Sequence, residues 1–463
     1  MTKIWLIKAD DFSVRRRVDL KYDGLGLAYI ASYIKKYGGF NDVAISNEGR
    51  GLKVDNIKKV NPDIVGVSSI TQNFDVARDL AKKIKEIMDI PVIVGGYHIS
   101  ALPQNLDSNM TAAVLGEGEL TFLELLLSYE SYGLTFKRLS KINGVAYQNN
   151  RALKITPKRK PIRPLDNIPF PNRNLLDISS GNFYMFTSRG CPYSCVFCAS
   201  TKFWGCVRFF SPEYVIREIL EIVNKYKPKH IDFCDDLFIS DRKRVFKITS
   251  LLKRLDLGVT FTCAARANLI DYRLALALKH ANFRRVSMGL ESGSPTVLKY
   301  LKGDSVTVNQ NTKAINILKN VGLSVGASFV IGSLEETENQ CFETLDFVKR
   351  SKIDVGSTFV LLPFPNTKLW DECERLGLVS DSMDWSKFKM NYDSDSKDRL
   401  IVSKHISRER LTKIDLMFKT EWKKRSRVYS VFYCLRHLDR AAFLVYDIFK
   451  TKKRMLGAIK TEG

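Results

Sequence analysis

The sequence predicts an α/β protein: two successive series of alternating strands and helices, followed by a helical region. Short apolar runs bounded by Gly, Asn or Pro alternate with stretches of helical spacing up to about residue 375. Such alternation is typical of parallel strands with helices packed on both faces. Of the 463 residues, 45% are hydrophobic, which excludes a disordered or low-complexity protein.

The first series predicts a doubly wound, Rossmann-like domain over residues 1–148. Helical spacing over 25–37 and 76–88 separates its apolar runs. In sheets of this kind ligands bind outside the carboxyl ends of the strands, so the loops there are candidate binding loops. The predicted strands are 4–9, 43–46, 63–69 and 91–96.

The second series predicts a six-unit partial TIM barrel, (β/α)6, over residues 181–375. Its helices include 212–226, with Ser211 as N-cap, and 272–281. Barrels of this kind carry their chemistry at the C-terminal rim. The predicted strands are 183–188, 230–234, 259–264, 286–289, 325–331 and 357–362.

The segment 149–180 is basic and rich in proline. This composition is typical of a solvated linker, with nucleic-acid binding as the alternative.

Residues 376–463 predict a basic helical region. Residues 401–463 hold 16 Lys and Arg against 6 Asp and Glu, within a total charge of +23. A basic run at 422–427 precedes an apolar helical stripe from Val431 to Phe449. Such a helix either packs on the barrel with a solvated basic face or lies on an anionic membrane surface. Nucleic acid is a less favoured partner, since no RNA-binding module is recognisable.

The N-terminus has no apolar region typical of a signal peptide, and the chain has no uncharged apolar run of about 18 residues. We therefore expect a cytoplasmic protein, with peripheral membrane association through the C-terminal helix as a further expectation.

A cluster of cysteines follows the first predicted barrel strand. The chain has nine cysteines, none before Cys191, and Cys191, Cys195 and Cys198 lie within eight positions. Soft thiolates select iron–sulfur clusters or zinc. Three thiolates leave one iron of a four-iron cluster open for another ligand, whereas a zinc site needs a fourth ligand, for which Cys206 is the candidate.

The spacing Cys-x3-Cys-x2-Cys, with Phe197 before the third cysteine, resembles the signature of the radical S-adenosylmethionine superfamily. The resemblance implies a [4Fe-4S] cluster on these three cysteines, whose open iron binds S-adenosylmethionine. It also implies a 5′-deoxyadenosyl radical that abstracts hydrogen from substrate, and an electron donor such as flavodoxin or ferredoxin.

Further segments resemble the same superfamily. Segment 231–238 and the Gly-Leu-Glu-Ser-Gly stretch at 289–293 resemble its second- and fourth-strand motifs. The S-adenosylmethionine contacts that this implies are Phe197, Asp235, Asp236, Arg266, Gly289, Glu291 and Ser292. For Arg266, a contact to the cofactor carboxylate and a salt bridge at the rim are equal alternatives. Two departures are Leu334-Glu335, where Pro-Gly is frequent, and Asn366, where Gly is frequent; Asn tolerates a left-handed backbone.

Segments 24–31, 62–66, 95–98 and 116–119 resemble the cobalamin-binding (B12) domain of one large branch. Since the Asp-x-His-x-x-Gly motif is absent, we expect cobalamin without that His ligand. For His98 the alternative is a rim residue bonded to a loop, and for 116–119 a turn with an acidic helix start. The implied cobalamin contacts are Ser68, Ser69, Thr71, Gly95, Gly96, His98, Gly116 and Glu117.

The function that this resemblance implies is a cobalamin-dependent methyltransferase acting on an unactivated carbon of a small-molecule or lipid substrate. The alternative is a cyclase, oxidase or C–C bond-forming enzyme of lipid, tetrapyrrole or natural-product biosynthesis. A non-enzymatic sensor of redox state or light is a third and weaker hypothesis. Methylthiotransferases are excluded, because they need cysteines before Cys191.

Overall fold

The computed structural model describes residues 2–10, 24–178, 181–389 and 399–436. In these ranges the strands form a seven-stranded sheet, a six-stranded sheet and a two-stranded ribbon.

The first domain is built on the seven-stranded sheet, in the order β2-β1-β3-β4-β5-β6-β7. Strands β1 to β5 are parallel, and β6 and β7 add an antiparallel hairpin at one edge. The strands are Ile4–Ala9 (β1), Val43–Glu48 (β2), Ile64–Ser68 (β3), Val92–Gly95 (β4), Ala112–Val114 (β5), Val145–Asn149 (β6) and Ala152–Ile155 (β7). The helices are Leu25–Gly38 (α1), Val54–Val60 (α2), Phe74–Ile87 (α3), Tyr97–Ala101 (α4), Gly118–Tyr132 (α5) and Phe136–Leu139 (α6).

Helices cover both faces of this sheet. Strand β1 is almost wholly buried, as expected of a strand with helices on either side. One face packs against α1 and α5, and the other packs against α3. The predicted doubly wound architecture is confirmed.

The segment that follows is packed, so the expectation of a solvated linker is wrong. Strand β7 lies within it, and Leu165 and Ile168 are buried. Arg173 donates to Glu218 of the barrel at 2.5 Å, and both side chains are at most 3% exposed. Apolar side chains and a buried ion pair thus hold the segment against the barrel.

The barrel is the six-stranded sheet, and all its strands are parallel in the order β15-β14-β13-β12-β11-β8. The strands of this sheet are Asn182–Met185 (β8), His230–Phe233 (β11), Thr260–Ala265 (β12), Phe283–Glu291 (β13), Ser324–Ile331 (β14) and Val355–Val360 (β15). The two-stranded ribbon consists of Ser188–Arg189 (β9) and Arg208–Phe209 (β10). The helices are Ser200–Trp204 (α7), Pro212–Tyr226 (α8), Arg242–Leu255 (α9), Tyr272–His280 (α10), Pro295–Lys302 (α11), Val308–Asn320 (α12), Glu338–Arg350 (α13) and Lys368–Arg375 (α14).

These strands confirm the six predicted units. The first strand ends at Met185, three residues before its predicted end. Ser188 and Arg189 instead pair antiparallel with β10, forming the two-stranded ribbon that carries the cysteine loop. Ser211 caps α8 as predicted, because its hydroxyl accepts from the backbone N–H of Tyr214 at 3.0 Å.

A long helix, Arg408–Arg436 (α15), packs against β15. Trp422 stacks on Phe329, and its indole N–H donates to Thr358 at 2.8 Å. Arg425 donates to backbone carbonyls at the end of α13, including that of Ile353 at 2.7 Å. Trp422 and Arg425, both within the segment 422–427, therefore hold the helix against the barrel.

The side chains of the predicted stripe from Val431 to Phe449 lie outside the described residues. None of the helices that the structure describes is long and apolar enough to cross a membrane.

Candidate functional site

The cysteine loop begins directly after β9. Gly190, which precedes Cys191, has φ of +92°, and a Cβ there would lie 2.7 Å from the carbonyl oxygen of Cys206. Only glycine accommodates this close approach without displacing the chain. The loop therefore leaves the ribbon in a turn that its sequence requires.

The three thiols of the loop are free and partly buried. Burial raises the pKa of the Cys198 thiol to about 11, and it also raises that of Cys191. Within the described ranges, no three His, Cys, Asp or Glu side chains are already arranged around a metal position. The donor set nevertheless fits a cluster chemically, since three thiolates on one short loop are the ligands that iron–sulfur clusters take.

Arg266 lies beside this loop, after β12. Its guanidinium is 3.4 Å from the Cys195 sulfur, 3.9 Å from the centre of the Tyr193 ring, and donates to the Ser305 hydroxyl at 2.6 Å. It is 5% exposed and forms no ion pair with the residues described. Of the two alternatives for Arg266, the rim salt bridge is therefore not observed.

Asp235 differs from its expected role. Its carboxylate accepts from the backbone N–H of Thr187 at 2.5 Å and of Ser188 at 3.0 Å, and it is 3% exposed. Desolvation raises its pKa. Asp235 thus holds the chain that leads into the cysteine loop. Asp236 accepts from the Ser200 hydroxyl at 2.7 Å, on the far side of the same loop.

The end of β13 brings together Gly289, Glu291 and Lys302. The Lys302 ammonium donates to the Gly289 carbonyl at 2.5 Å and lies 3.3 Å from the Glu291 carboxylate. A Cβ at Gly289 would lie 2.2 Å from that carboxylate, so a larger residue there would displace the Glu291 side chain from its position beside Lys302. Ser292 is buried and bonded to Thr344 at 3.0 Å, and Phe197 packs between the domains. Lys302 was not predicted, because its partners are 11 and 13 residues away.

A cavity of about 280 Å³ opens at the carboxyl ends of β3, β4 and β5, between α1 and α5. Its walls are largely apolar, with Leu6, Ile30, Ile93, Val114 and Phe122. Five of the predicted cobalamin residues line it, namely Ser68, Gly95, Gly96, Gly116 and Glu117.

Glycines give this cavity its room. Gly26 and Gly116 both line it, and a Cβ at either would meet no other atom within 4 Å. At Gly96, by contrast, a Cβ would lie 2.2 Å from the Ser69 carbonyl oxygen, so only glycine fits at that position. An apolar cleft with bare backbone at strand ends fits the insertion of a large, partly apolar cofactor such as cobalamin.

Three predicted cobalamin residues do not line the cavity: Ser69, Thr71 and His98 are all buried away from it. The His98 ring stacks on Phe74, with centroids 3.9 Å apart, and its Nε2 is 2.8 Å from the Asn105 side-chain oxygen. Burial lowers the pKa of His98 to about 4. The structure therefore favours the alternative, a His bonded to a neighbouring loop.

An interdomain ion-pair network joins the cavity to the cysteine loop. We define it as Glu117, Glu119, Arg189 and Arg208. Arg189 donates to Glu119 at 2.5 Å and lies 3.3 Å from Glu117, to which Arg208 also donates. The Arg189–Glu119 pair is buried, both side chains being 5% exposed.

Glu117 and Glu119 lie at the start of α5, which agrees with the alternative interpretation of segment 116–119 as a turn with an acidic helix start. The sequence did not predict their arginine partners, because contacts between residues 70 or more positions apart leave no local pattern.

Two family models and one relative agree with this geometry. Residues 185–348 match the radical SAM superfamily, and residues 14–126 match the B12 binding domain. The chain is 32% identical over 433 residues to an uncharacterized methyltransferase of Pyrococcus horikoshii, covering 89% of this chain and 90% of that protein. The chain belongs to the radical S-adenosylmethionine superfamily. Its predicted class, a radical S-adenosylmethionine enzyme with S-adenosylmethionine, a [4Fe-4S] cluster and cobalamin as cofactors, is confirmed.

Two other proteins show the breadth of this branch. The anaerobic magnesium-protoporphyrin IX monomethyl ester cyclase of Rubrivivax gelatinosus is 29% identical, covering 78% of this chain and 68% of that protein. The radical S-adenosylmethionine methyltransferase of Kitasatospora setae, solved with tryptophan and a cofactor analogue, has a TM-score of 0.68 at 17% identity. The structural match covers 82% of this chain and 77% of that protein, which shows a common fold.

Proposed function

We propose that this superfamily member is a cobalamin-dependent methyltransferase that acts on an unactivated carbon of a small molecule. The observation that carries the proposal is the apolar cavity, joined by the interdomain ion-pair network to the loop of three cysteines. Methyl transfer to a carbon radical needs the methyl donor and the radical source close together. The contacts of this network with both candidate sites support such a proximity. The relative from P. horikoshii, named a methyltransferase, supports this chemistry.

When bound, the cluster and S-adenosylmethionine supply a 5′-deoxyadenosyl radical, and cobalamin supplies the methyl group. Cys191, Cys195 and Cys198 would hold the cluster. Arg266 would bind the carboxylate of S-adenosylmethionine, because its guanidinium is buried beside the cysteine loop without an ion-pair partner in the described structure. A buried guanidinium of this kind gains most from an anionic ligand.

The remaining residues position these groups. Gly289 and Glu291, fixed by Lys302, would border the nucleoside, with Phe197, Asp236 and Ser292 as supports beneath it. Asp235 would act through the backbone of residues 187 and 188. Ser68, Gly95, Gly96, Gly116 and Glu117 would contact cobalamin in the cavity.

Cyclisation is the second candidate function, since the relative from R. gelatinosus is named a cyclase. The two functions differ in whether a methyl group leaves S-adenosylmethionine. The products formed from S-adenosylmethionine therefore distinguish methyl transfer from cyclisation.

The partners of the proposed enzyme are a one-electron donor, such as flavodoxin or ferredoxin, and an anionic membrane surface. Support for the second comes from an exposed stripe on α15, in which Leu416 and Met417 are 55% and 44% exposed beside Lys413 and Lys424. Flotation with vesicles containing phosphatidylserine tests this contact. The wild type should float and L416E/M417E should not, and equal flotation of the two would contradict it.

The test of the cobalamin site is the absorbance spectrum of anaerobically reconstituted protein, desalted after incubation with iron, sulfide and hydroxocobalamin. We expect about one equivalent of retained cobalamin together with the cluster. A brown cluster without cobalamin would overturn the proposed methyl transfer.

A further inference from the structure

The inner face of the barrel is lined by small and polar side chains. Strand residues alternate between two faces, and one set (Ile231, Phe261, Val286 and Val325) packs with the helices in the barrel's apolar core. The opposite face is the inner one. Packed barrels fill this space with bulky branched side chains. Here its middle row includes Ala264, Ser287 and Gly326, which are all small.

A row of five residues in mutual register crosses this face further from the rim. Tyr184, Asp232, Thr262, Arg285 and Ser324 are consecutive strand partners on β8, β11, β12, β13 and β14. Since they share one register row, their side chains point to the same face. Arg285 lies four residues before Gly289, or about 13 Å along the strand at roughly 3.3 Å per residue. The row is thus well below the proposed S-adenosylmethionine site.

The other ionisable groups of this row are already paired. Asp232 is 3.0 Å from the His230 Nε2 and also accepts from the Thr262 hydroxyl. Strand β12 lies between β11 and β13, so the backbones of Asp232 and Arg285 are about 10 Å apart at roughly 4.8 Å per strand. Burial alone would raise the pKa of Asp232, but its hydrogen bonds with His230 and Thr262 and the charge of Arg285 together lower it. No ion pair forms between them in the described structure.

Arg285 is partly buried, and its side chain makes no hydrogen bond or ion pair with any residue that the structure describes. Its Nε is buried without a partner. Burying part of a guanidinium without a hydrogen-bond partner is costly. Such a cation gains most where a ligand supplies the missing oxyanion, and two parallel N–H groups of arginine match a carboxylate or a phosphate.

We propose that Arg285 binds an anionic oxygen group, carboxylate or phosphate, of the substrate inside the barrel. This inference rests on the proposed function, because it assigns the substrate class of that same site. The substrate is an acid whose reactive carbon reaches up towards the rim while its oxyanion is held at Arg285.

The test uses matched probes on the reconstituted holoenzyme in the presence of S-adenosylmethionine. Benzoate and inorganic phosphate represent the two oxyanions, and benzamide is the neutral counterpart of benzoate. Calorimetric titration compares the wild type with R285Q, R285K and R217Q, the last removing an exposed arginine of α8. Iron content and cobalamin retention, measured on the same preparations, show whether each variant is folded and loaded.

We expect the wild type and R217Q to bind benzoate or phosphate in preference to benzamide. R285Q should weaken that binding about tenfold or more, and R285K should recover part of it. Whether benzoate or phosphate binds better identifies the oxyanion. Equal binding by wild type and R285Q would overturn the proposal, as would binding of benzamide equal to that of the better anion, or no binding of either anion. Loss of cobalamin alone would contradict the proposed function and leave Arg285-dependent binding as a separate result.

Discussion

The cavity of the first domain and the inner face of the barrel are both bordered by parallel strands, but the side chains that line them differ. The cavity is walled by Leu6, Ile93 and Phe122, whereas the barrel presents Thr262, Arg285 and other polar or small residues. Apolar walls bind by removing surface from water, which suits a cofactor that stays bound. Polar groups orient a reactant that must enter and leave. A substitution in one of the two regions should therefore impair binding in that region and leave binding in the other unchanged.

The largest expected effect comes from the cysteine loop. In C195A the cluster loses one thiolate, so iron binding and release of 5′-deoxyadenosine should fall to the level of protein without cluster. Cobalamin retention should be unchanged, since no cysteine lines the cavity. Iron analysis and chromatography of the nucleoside measure both.

The control is C206A. The Cys206 sulfur accepts from Arg163 at 3.1 Å, and this variant should keep its iron. Loss of metal from C206A as well as C195A would support a four-ligand zinc site and contradict the three-cysteine cluster.

The converse change fills the cavity. Gly26 lies in α1 and lines the cavity, where a leucine side chain would project into open space. G26L should weaken cobalamin retention by about 10-fold to 100-fold, the affinity equivalent of roughly 1.5–3 kcal/mol of displaced apolar burial. The helix should tolerate the change, since leucine has a higher helix propensity than glycine.

Cobalamin absorbance after desalting measures the effect of G26L, with G51L, at an exposed turn, as the matched control. Full retention by G26L would show that cobalamin lies elsewhere. Iron content should be normal in both variants.

A smaller effect is expected where the two regions meet. E119Q removes the carboxylate 2.5 Å from the buried guanidinium of Arg189 and leaves Glu117, at 3.3 Å, as its remaining counter-charge. The loss of this charged hydrogen bond should lower the free energy of unfolding by about 2 kcal/mol. E124Q, which breaks the more exposed pair with Arg159, should cost about 1 kcal/mol or less. Urea unfolding followed by fluorescence compares them. Equal losses of unfolding free energy in the two variants would show that the interdomain network stabilises the protein no more than an exposed ion pair does.

The smallest effect is the pH dependence that His98 contributes. Its pKa is about 4 in the folded protein, below the ordinary value of 6.5, because burial disfavours the charged ring. The unfolded chain binds the proton of this ring more tightly. The contribution of His98 to the free energy of unfolding is therefore complete above pH 6.5 and is lost as the pH falls towards 4. Between pH 7 and pH 5 the wild type should lose about 2 kcal/mol that H98Q does not lose. Parallel pH profiles of the two proteins would refute this assignment.

Local patterns predicted much of this molecule. Helix α8 runs over the predicted residues, and Asn366 has the left-handed backbone, at φ of +61°, that its place in the loop indicated. Both depend on neighbours within a few positions. The hairpin of β6 and β7 escaped prediction, because β7 is largely exposed and carries little apolar pattern.

The site was predicted where motifs are local and missed where partners are distant. Five glycine, serine and glutamate residues of strand-end loops do line the cavity. Asp235 and His98 were expected to face ligands, but each is used by a neighbouring segment instead. Whether a polar residue at a strand end faces the ligand or the backbone depends on side-chain orientation, which a single sequence does not encode locally.

The central claim is that the bound cobalamin receives a methyl group from S-adenosylmethionine. The most direct test measures the two products of that cofactor from reduced holoenzyme, S-adenosylhomocysteine and 5′-deoxyadenosine, with and without cobalamin. Our account predicts about one equivalent of S-adenosylhomocysteine only when cobalamin is bound, and 5′-deoxyadenosine in both preparations. Release of 5′-deoxyadenosine without S-adenosylhomocysteine from the cobalamin-loaded enzyme would contradict methyl transfer and favour cyclisation or oxidation.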